Sequence, residues 1–346
     1  MHLNYDGLAV SPDGEMLAAA TPFTAINRLD LIEWRAGVGQ ALVHADPQRA
    51  LLQPTFSPDG QQLAFVVAQP SKVGQITNVS EIWISDLNGV VIKRIAEEGR
   101  LFTNPVFSPD GRRLAYFRDV EHDAGSSPDD VERRETREIV AMVAFEFDLE
   151  DGTQTQLSFQ PFGSPRGLHY VPGSSGDFIL EVGPPLSPVD VNGEPRWTLT
   201  PEIVSAMSDQ IAAGQSGANV FRWQRGAPMP LFPRQLYGGS DGLEHPEFVG
   251  PARGDGLLIA DVRTGAGTDR TVILLRAANT NRELFDLGER QLAQINVSAD
   301  LKVAAAFNNK MERGETDLQE IVVVSDGAVR SLSYDRIQFS QPTILN

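Results

Sequence analysis

The stretch PVFSPDGRRLAYF, Pro105 to Phe117, decides the fold. An apolar run ends at Ser108-Pro109-Asp110-Gly111, and a second run, Leu114-Ala115-Tyr116-Phe117, follows at once. Proline sets φ for the second position of a tight turn, aspartate favours the turn interior, and glycine closes it. The reading is a hairpin between two buried strands with its corner at the surface. Two further copies stand upstream, LAVSPDGEMLAAA from Leu8 and PTFSPDGQQLAFV from Pro54. The serines of the three corners, Ser11, Ser57 and Ser108, lie 46 and 51 residues apart. Periods of about 40–50 residues are those of four-stranded propeller blades.

Looser copies complete the series: LHYVPGSSGDFILEV from Leu168, HPEFVGPARGDGLLIADV from His245 and QINVSADLKVAAAF from Gln294. Each is followed by two more strand signals, clearest in SEIWISDLNG and VVIKRIAEEG between Ser80 and Gly99. The expectation is an all-β, six-bladed propeller of four-stranded antiparallel blades. Its blades would span about 5–48, 50–99, 101–160, 165–237, 243–289 and 291–336, in a single domain. The 31 glycines and 23 prolines, placed largely between apolar runs, agree with many short strands and tight turns. The tail 337–346 restates a blade opening, since Gln341-Pro342-Thr343 repeats Gln53-Pro54-Thr55. It reads as an innermost strand closing the ring, or as the start of a further blade.

The segment IWISDLNGVVIKRIAEEGRLFTNPVFSPDGRRLAYF, Ile82 to Phe117, resembles the repeat of the TolB-like (PD40, WD40-like) propeller family. In that family a D-x-x-G turn leads to a basic-apolar strand and then to P-x-F-S-P-D-G-x-x-L-A-F. WD40 repeats share the Ser-Pro-Asp-Gly turn, but their Gly-His and Trp-Asp pairs are missing from the expected register here. The resemblance covers roughly residues 8–118 closely and the remainder in pattern only. It implies the fold. It does not imply a function, because the repeat is shared by periplasmic accessory proteins, peptidase propellers and others.

Composition narrows the functional classes. With 29 Lys and Arg against 46 Asp and Glu, the chain carries a formal charge of −17, which repels nucleic acid and anionic lipid. A neutral or basic partner suits it better. There are no cysteines, which removes disulfides, thiol nucleophiles and Cys-based metal sites. The opening MHLNYDGLAV lacks a basic region followed by an apolar one, and no apolar run approaches the ~20 residues of a membrane span. With Met1 as the natural start, the expectation is a cytoplasmic protein. The alternative, if Met1 heads a trimmed chain, is a periplasmic or extracellular mature domain.

Blade strands run a to d from the axis outward, so a–b and c–d connections share one face and b–c and d–a connections share the other. The long insertions fall between strands b and c, at about 119–138, 183–219 and 308–320, with a lesser one near 69–80. Loops beyond about 12–15 residues are uncommon in compact domains and usually carry function or lack order. The first insertion is charged and without apolar periodicity, as in a solvated loop. In the second, Thr200-Pro201-Glu202 forms a helix start and Gly214 a stop. Ile203, Val204, Met207 and Ile211 share one face of that short helix. An isolated helix of this length is marginal, so the stripe packs on its own propeller or, with Trp197, offers an apolar anchor to a partner.

Catalytic patterns are poorly represented. Asp13, Asp59 and Asp110 read as turn residues, not ligands. Gly238-Gly239-Ser240-Asp241-Gly242 spells G-x-S-x-G without the strand, helix and distant histidine a nucleophile elbow needs. The histidines, His2, His44, His122, His169 and His245, show no metal-binding spacing. Glu146, Asp148 and Glu150 alternate with Phe145, Phe147 and Leu149, as in a strand with one wet face. No D-x-D-x-D-G loop is present, and Arg253-Gly254-Asp255 falls in a blade-five turn. The leading expectation is a monomeric, non-enzymatic propeller without catalytic residues or cofactor. It would bind a protein or peptide on the face carrying the b–c insertions, with no nucleic acid and no membrane insertion. The alternatives are a metal-assisted hydrolase or lactonase-like enzyme in the axial funnel, where calcium is the ion considered, or the propeller part of a larger peptidase.

Overall fold

A computed structural model describes residues 7–21, 28–44, 49–68, 80–98, 100–119, 141–157, 162–163, 167–174, 176–182, 219–223, 225, 246–252, 256–264, 269–277, 280–288, 292–308, 320–333 and 337–340. Blade one is β1 (Leu8–Val10), β2 (Met16–Thr21), β3 (Arg28–Glu33) and β4 (Val38–His44). Blade two is β5 (Ala50–Phe56), β6 (Gln62–Ala68), β7 (Ser80–Asp86) and β8 (Val91–Ile95). Blade three is β9 (Phe102–Phe107), β10 (Arg113–Asp119), β11 (Ala141–Asp148) and β12 (Gln154–Gln156), with β13 (Phe162–Gly163) also on β11. Blade four has three described strands, β14 (Gly167–Tyr170), β15 (Phe178–Val182) and β16 (Asn219–Trp223). Blade five is β17 (Pro246–Pro251), β18 (Leu257–Thr264), β19 (Asp269–Ala277) and β20 (Thr280–Gly288). Blade six is β21 (Leu292–Val297), β22 (Val303–Asn308), β23 (Glu320–Ser325) and β24 (Ala328–Ser333). The molecule is an all-β, six-bladed propeller with antiparallel blades.

Each inner strand packs on the blade before it: β5 on β1 and β2, β9 on β5 to β7, β14 on β9 and β10, β17 on β14, β21 on β17, and β1 on β21 and β22. Burial follows radial position. The second strands are sealed on both faces, as all six residues of β22 show, whereas β12 is exposed throughout. That is why the second strands read as unbroken apolar runs.

The Ser-Pro-Asp-Gly corners share one hydrogen-bond pattern. The Ser57 hydroxyl donates to Asp59 Oδ1 at 2.6 Å, the Gln61 N–H donates to the same oxygen at 3.0 Å, and the Gln62 N–H donates to Ser57 Oγ at 2.9 Å. Ser11 with Asp13 and Ser108 with Asp110 repeat it. These aspartates are therefore turn residues. The serine hydroxyl, foremost, holds each carboxyl below its ordinary range. Blade six keeps the pattern through Ser298 and Asp300 but puts Leu301, at φ 61°, where the others have glycine at about 70°.

Inner strands are bulged as well. Gln53, Asn104 and Gln294 take φ of 50°, 54° and 57° at register shifts in β5, β9 and β21. The two glutamine amides reach the next blade: Gln53 Oε1 accepts the Asn104 N–H at 2.7 Å, and Gln294 Oε1 accepts the Gly7 N–H at 2.8 Å. Asn296 Nδ2 also donates to the Leu8 carbonyl at 2.8 Å. Blade six is thus tied to blade one near the axis by side chains.

β25 (Gln338–Ser340) runs parallel to β4 on the outer edge of blade one, because the inner position is already filled by β1. Phe339 sits over Gly39, where a Cβ would come within 2.4 Å of its ring, and under the Arg28 guanidinium at 4.3 Å. Residues 341–346 and the helix expected near 200–214 lie outside the described residues.

Candidate functional site

The b–c connections leave and return at one face, opposite the Ser-Pro-Asp-Gly corners. Their anchors are paired strand ends: Ala68 with Ser80 in blade two, Asp119 with Met142 in blade three, Val182 with Asn219 in blade four, and Asn308 with Glu320 in blade six. The buried Ser80 hydroxyl donates to the Phe102 carbonyl and accepts the Phe102 N–H, both at 2.7 Å, which locks the blade-two anchor to blade three. Asp119 accepts the Leu101 N–H at 2.9 Å, and burial raises its carboxyl above the ordinary value. Trp197, Ile203, Val204, Met207 and Ile211, the residues expected to meet a partner, lie between the blade-four anchors and outside the described residues.

On the opposite face, between blades three and four, is a cleft of about 330 Å³ bordered by Asp110, Arg112, Arg113, Glu146, Asp148 and Arg225. Its floor corrects the reading of β11 as a strand with a wet face. Glu146 is only 4% exposed. The Tyr170 hydroxyl donates to Glu146 Oε2 at 2.6 Å, Arg225 Nη1 donates to Oε2 at 3.0 Å, Arg225 Nη2 donates to Oε1, and Arg113 Nη1 lies 3.4 Å from Oε1. A buried carboxylate needs such partners, since burying it unpaired is prohibitive. Burial, reinforced by Glu146, drives the Tyr170 phenol far above its usual range. Arg225 rests against Gly176, where a Cβ would fall 2.8 Å from Nη1.

The alternation along β11 did show in the sequence. What covers that face did not, because Tyr170 and Arg225 come from the next blade, 24 and 79 residues further on.

Near the axis, His169 on β14 meets Phe248 of blade five edge-on, with ring centroids 5.4 Å apart. Burial pushes its imidazole down to about 4. Among the described residues no three His, Asp or Glu side chains group so as to hold a metal ion. His2, His122, His245, the 238–242 pattern and Arg253-Gly254-Asp255 lie outside the described residues.

The fold is that of a six-bladed β-propeller. The chain is similar to TolB from Acinetobacter baumannii, at 14% identity over 97% of this chain and 65% of that one, with a TM-score of 0.53. It is also similar to an oligogalacturonate lyase from Vibrio parahaemolyticus (13% identity, 95% and 78% covered, TM-score 0.49). A third match is the β-propeller domain of the Trilobed protease from Pyrococcus furiosus (11% identity, 95% and 84% covered, TM-score 0.47). At these identities the likeness is one of fold. No protein-family model matches the chain, and no curated protein matches it in sequence.

Proposed function

We propose that this chain is a non-enzymatic binding propeller of the TolB-like repeat family, whose face carrying the b–c connections grips a protein or peptide partner. One observation carries the reading. The connections of four blades, the longest joining Val182 to Asn219, spring from strand ends on a single face of a rigid ring. Loops grafted on one side of a rigid scaffold are where binding residues concentrate. The acidic balance of the chain favours a neutral or basic partner and works against nucleic acid.

The test is a pair of internal deletions, 120–138 and 186–216, each bridged by a short Gly-Ser link and checked for an unchanged β-sheet circular dichroism spectrum. Cross-linking mass spectrometry on the intact chain identifies the partner. Its affinity should fall at least tenfold in one deletion or both. Unchanged affinity in both sinks the proposal.

A further inference from the structure

In the cleft between blades three and four, the buried acceptor is committed, while part of the guanidinium donor set is not. Glu146 accepts from Tyr170 and twice from Arg225, and also faces Arg113. Asp110 Oδ1 accepts from the Ser108 hydroxyl and the Arg112 N–H, and its Oδ2 lies 3.5 Å from Arg113. Asp148 Oδ1 accepts the N–H groups of Glu150 and Asp151. Spare acceptor capacity is left at Asp148 Oδ2 and at the half-exposed Asp110 Oδ2, while the buried Glu146 is fully engaged.

The donor side differs. A guanidinium has five N–H groups. Arg225 directs two at Glu146 and keeps a side chain 34% exposed. Among the described residues the Arg112 guanidinium makes no ion pair and no side-chain hydrogen bond, and it is exposed at the rim. Thr155, also exposed, adds a hydroxyl on the same cleft. What the exposed Arg112 guanidinium and the free edge of Arg225 lack is an acceptor within reach, and planar guanidiniums match carboxylate and phosphate oxygens in geometry.

We propose that this cleft binds an oxyanion, the carboxylate or phosphate group of a small ligand, through Arg112 and the free edge of Arg225. The overall charge of −17 opposes an anion at long range. Salt screens that field beyond about 10 Å at 0.1 M, so the adjacent guanidiniums dominate within the cleft. The site lies on the face opposite the partner-binding one and stands independently of it.

The experiment titrates the full chain with inorganic phosphate and, separately, with succinate. Binding is followed by amide chemical shifts with ionic strength held constant by sodium chloride. Arg112→Gln is the test variant, and it should fold normally because that side chain supports no other. Arg94→Gln, on the outer strand of blade two, removes the same charge at a distance. Saturable shifts at Arg113, Thr155 and Arg225 are expected for at least one titrant, weakened about tenfold by Arg112→Gln and unaltered by Arg94→Gln. Phosphate alone, succinate alone or both responding would support the site and identify the ligand chemistry. The absence of saturation with either, or equal weakening by the two variants, overturns it.

Discussion

Replacing Glu146 with glutamine should destabilise the propeller by about 2–3 kcal/mol. The isostere keeps the shape of the side chain and one acceptor oxygen. It removes the charge and turns an amide donor toward two guanidiniums. Breaking a buried ion pair costs about 3–5 kcal/mol because the remaining charge is stranded. Here Arg113 and Arg225 are 23% and 34% exposed, so water compensates in part and the lower figure applies. Unfolding entropy of about 2.1 cal/mol/K per residue gives ~0.7 kcal/mol/K for a chain of this length, so Tm should drop by about 3–4 °C. Glu146→Leu should cost about 1 kcal/mol more, since the Tyr170 hydroxyl, on a residue 6% exposed, then loses its acceptor. Melting can be followed by the fluorescence of Trp223, buried in blade four and stacked on Phe178 with ring centroids 6.0 Å apart. A drop below about 1 °C for both variants would refute the argument, because only a solvated pair is worth so little.

Two further perturbations probe the ring itself. Gly60→Ala and Gly89→Ala both force alanine into positive φ, 70° and 83°, at a cost of about 1 kcal/mol each. At Gly60 the new Cβ has room, 3.6 Å from Pro12, whereas at Gly89 it would lie 2.2 Å from the Leu42 carbonyl oxygen of blade one. Thermal melts should show Gly89→Ala losing at least twice as much, and equal losses would mean the blades yield at no cost. Acidification should act in two windows. His169, held near 4 in the folded state against an ordinary 6.5, leaves stability intact above about pH 6.5 and erodes it as pH falls toward 4. That loss is at most about 3 kcal/mol and smaller in proportion to the part of the ring that meets water. The lowered carboxyls of Asp13, Asp59 and Asp110 contribute above their unfolded pKa and lose that contribution as pH falls through their folded values, below about 4. Denaturant titrations at stepped pH should show the upper window vanish in His169→Gln while the lower one persists.

What was legible in the sequence was what neighbouring residues enforce on one another. Ser57, Pro58, Asp59 and Gly60 build their corner from contacts within five residues, so the motif announces it. Blade six shows how much of that grammar is dispensable. Ala299 replaces proline and Leu301 replaces glycine, yet Ser298 and Asp300 make the same bonds and hold leucine in a left-handed conformation. The bulges at Gln53 and Gln294 gave no such signal, since their partners, Asn104 and Gly7, belong to adjoining blades. The placement of Gln338–Ser340 was hidden for a related reason. β25 finds its place by which edge is vacant and by whether Gly39 leaves a seat for Phe339, and neither shows in its own three residues.

The cleft and the degeneracy of blade four have a common origin. Where the corners are regular they touch in sequence around the face: Pro12 of blade one lies 3.6 Å from a Cβ built on Gly60, and Pro58 of blade two lies 3.8 Å from one built on Gly111. The series then stops. Blade four closes its hairpin from Val171 to Asp177, a residue longer than the Ser108 to Arg113 corner, and a Cβ on its Gly173 would meet nothing within 4 Å. The vacancy beside Asp110 is therefore unfilled by backbone, and the polar floor of Glu146, Tyr170, Arg113 and Arg225 is left facing it. Divergence of the repeat in blade four thus accompanies a lined opening beside blade three, the cleft for which an oxyanion is proposed.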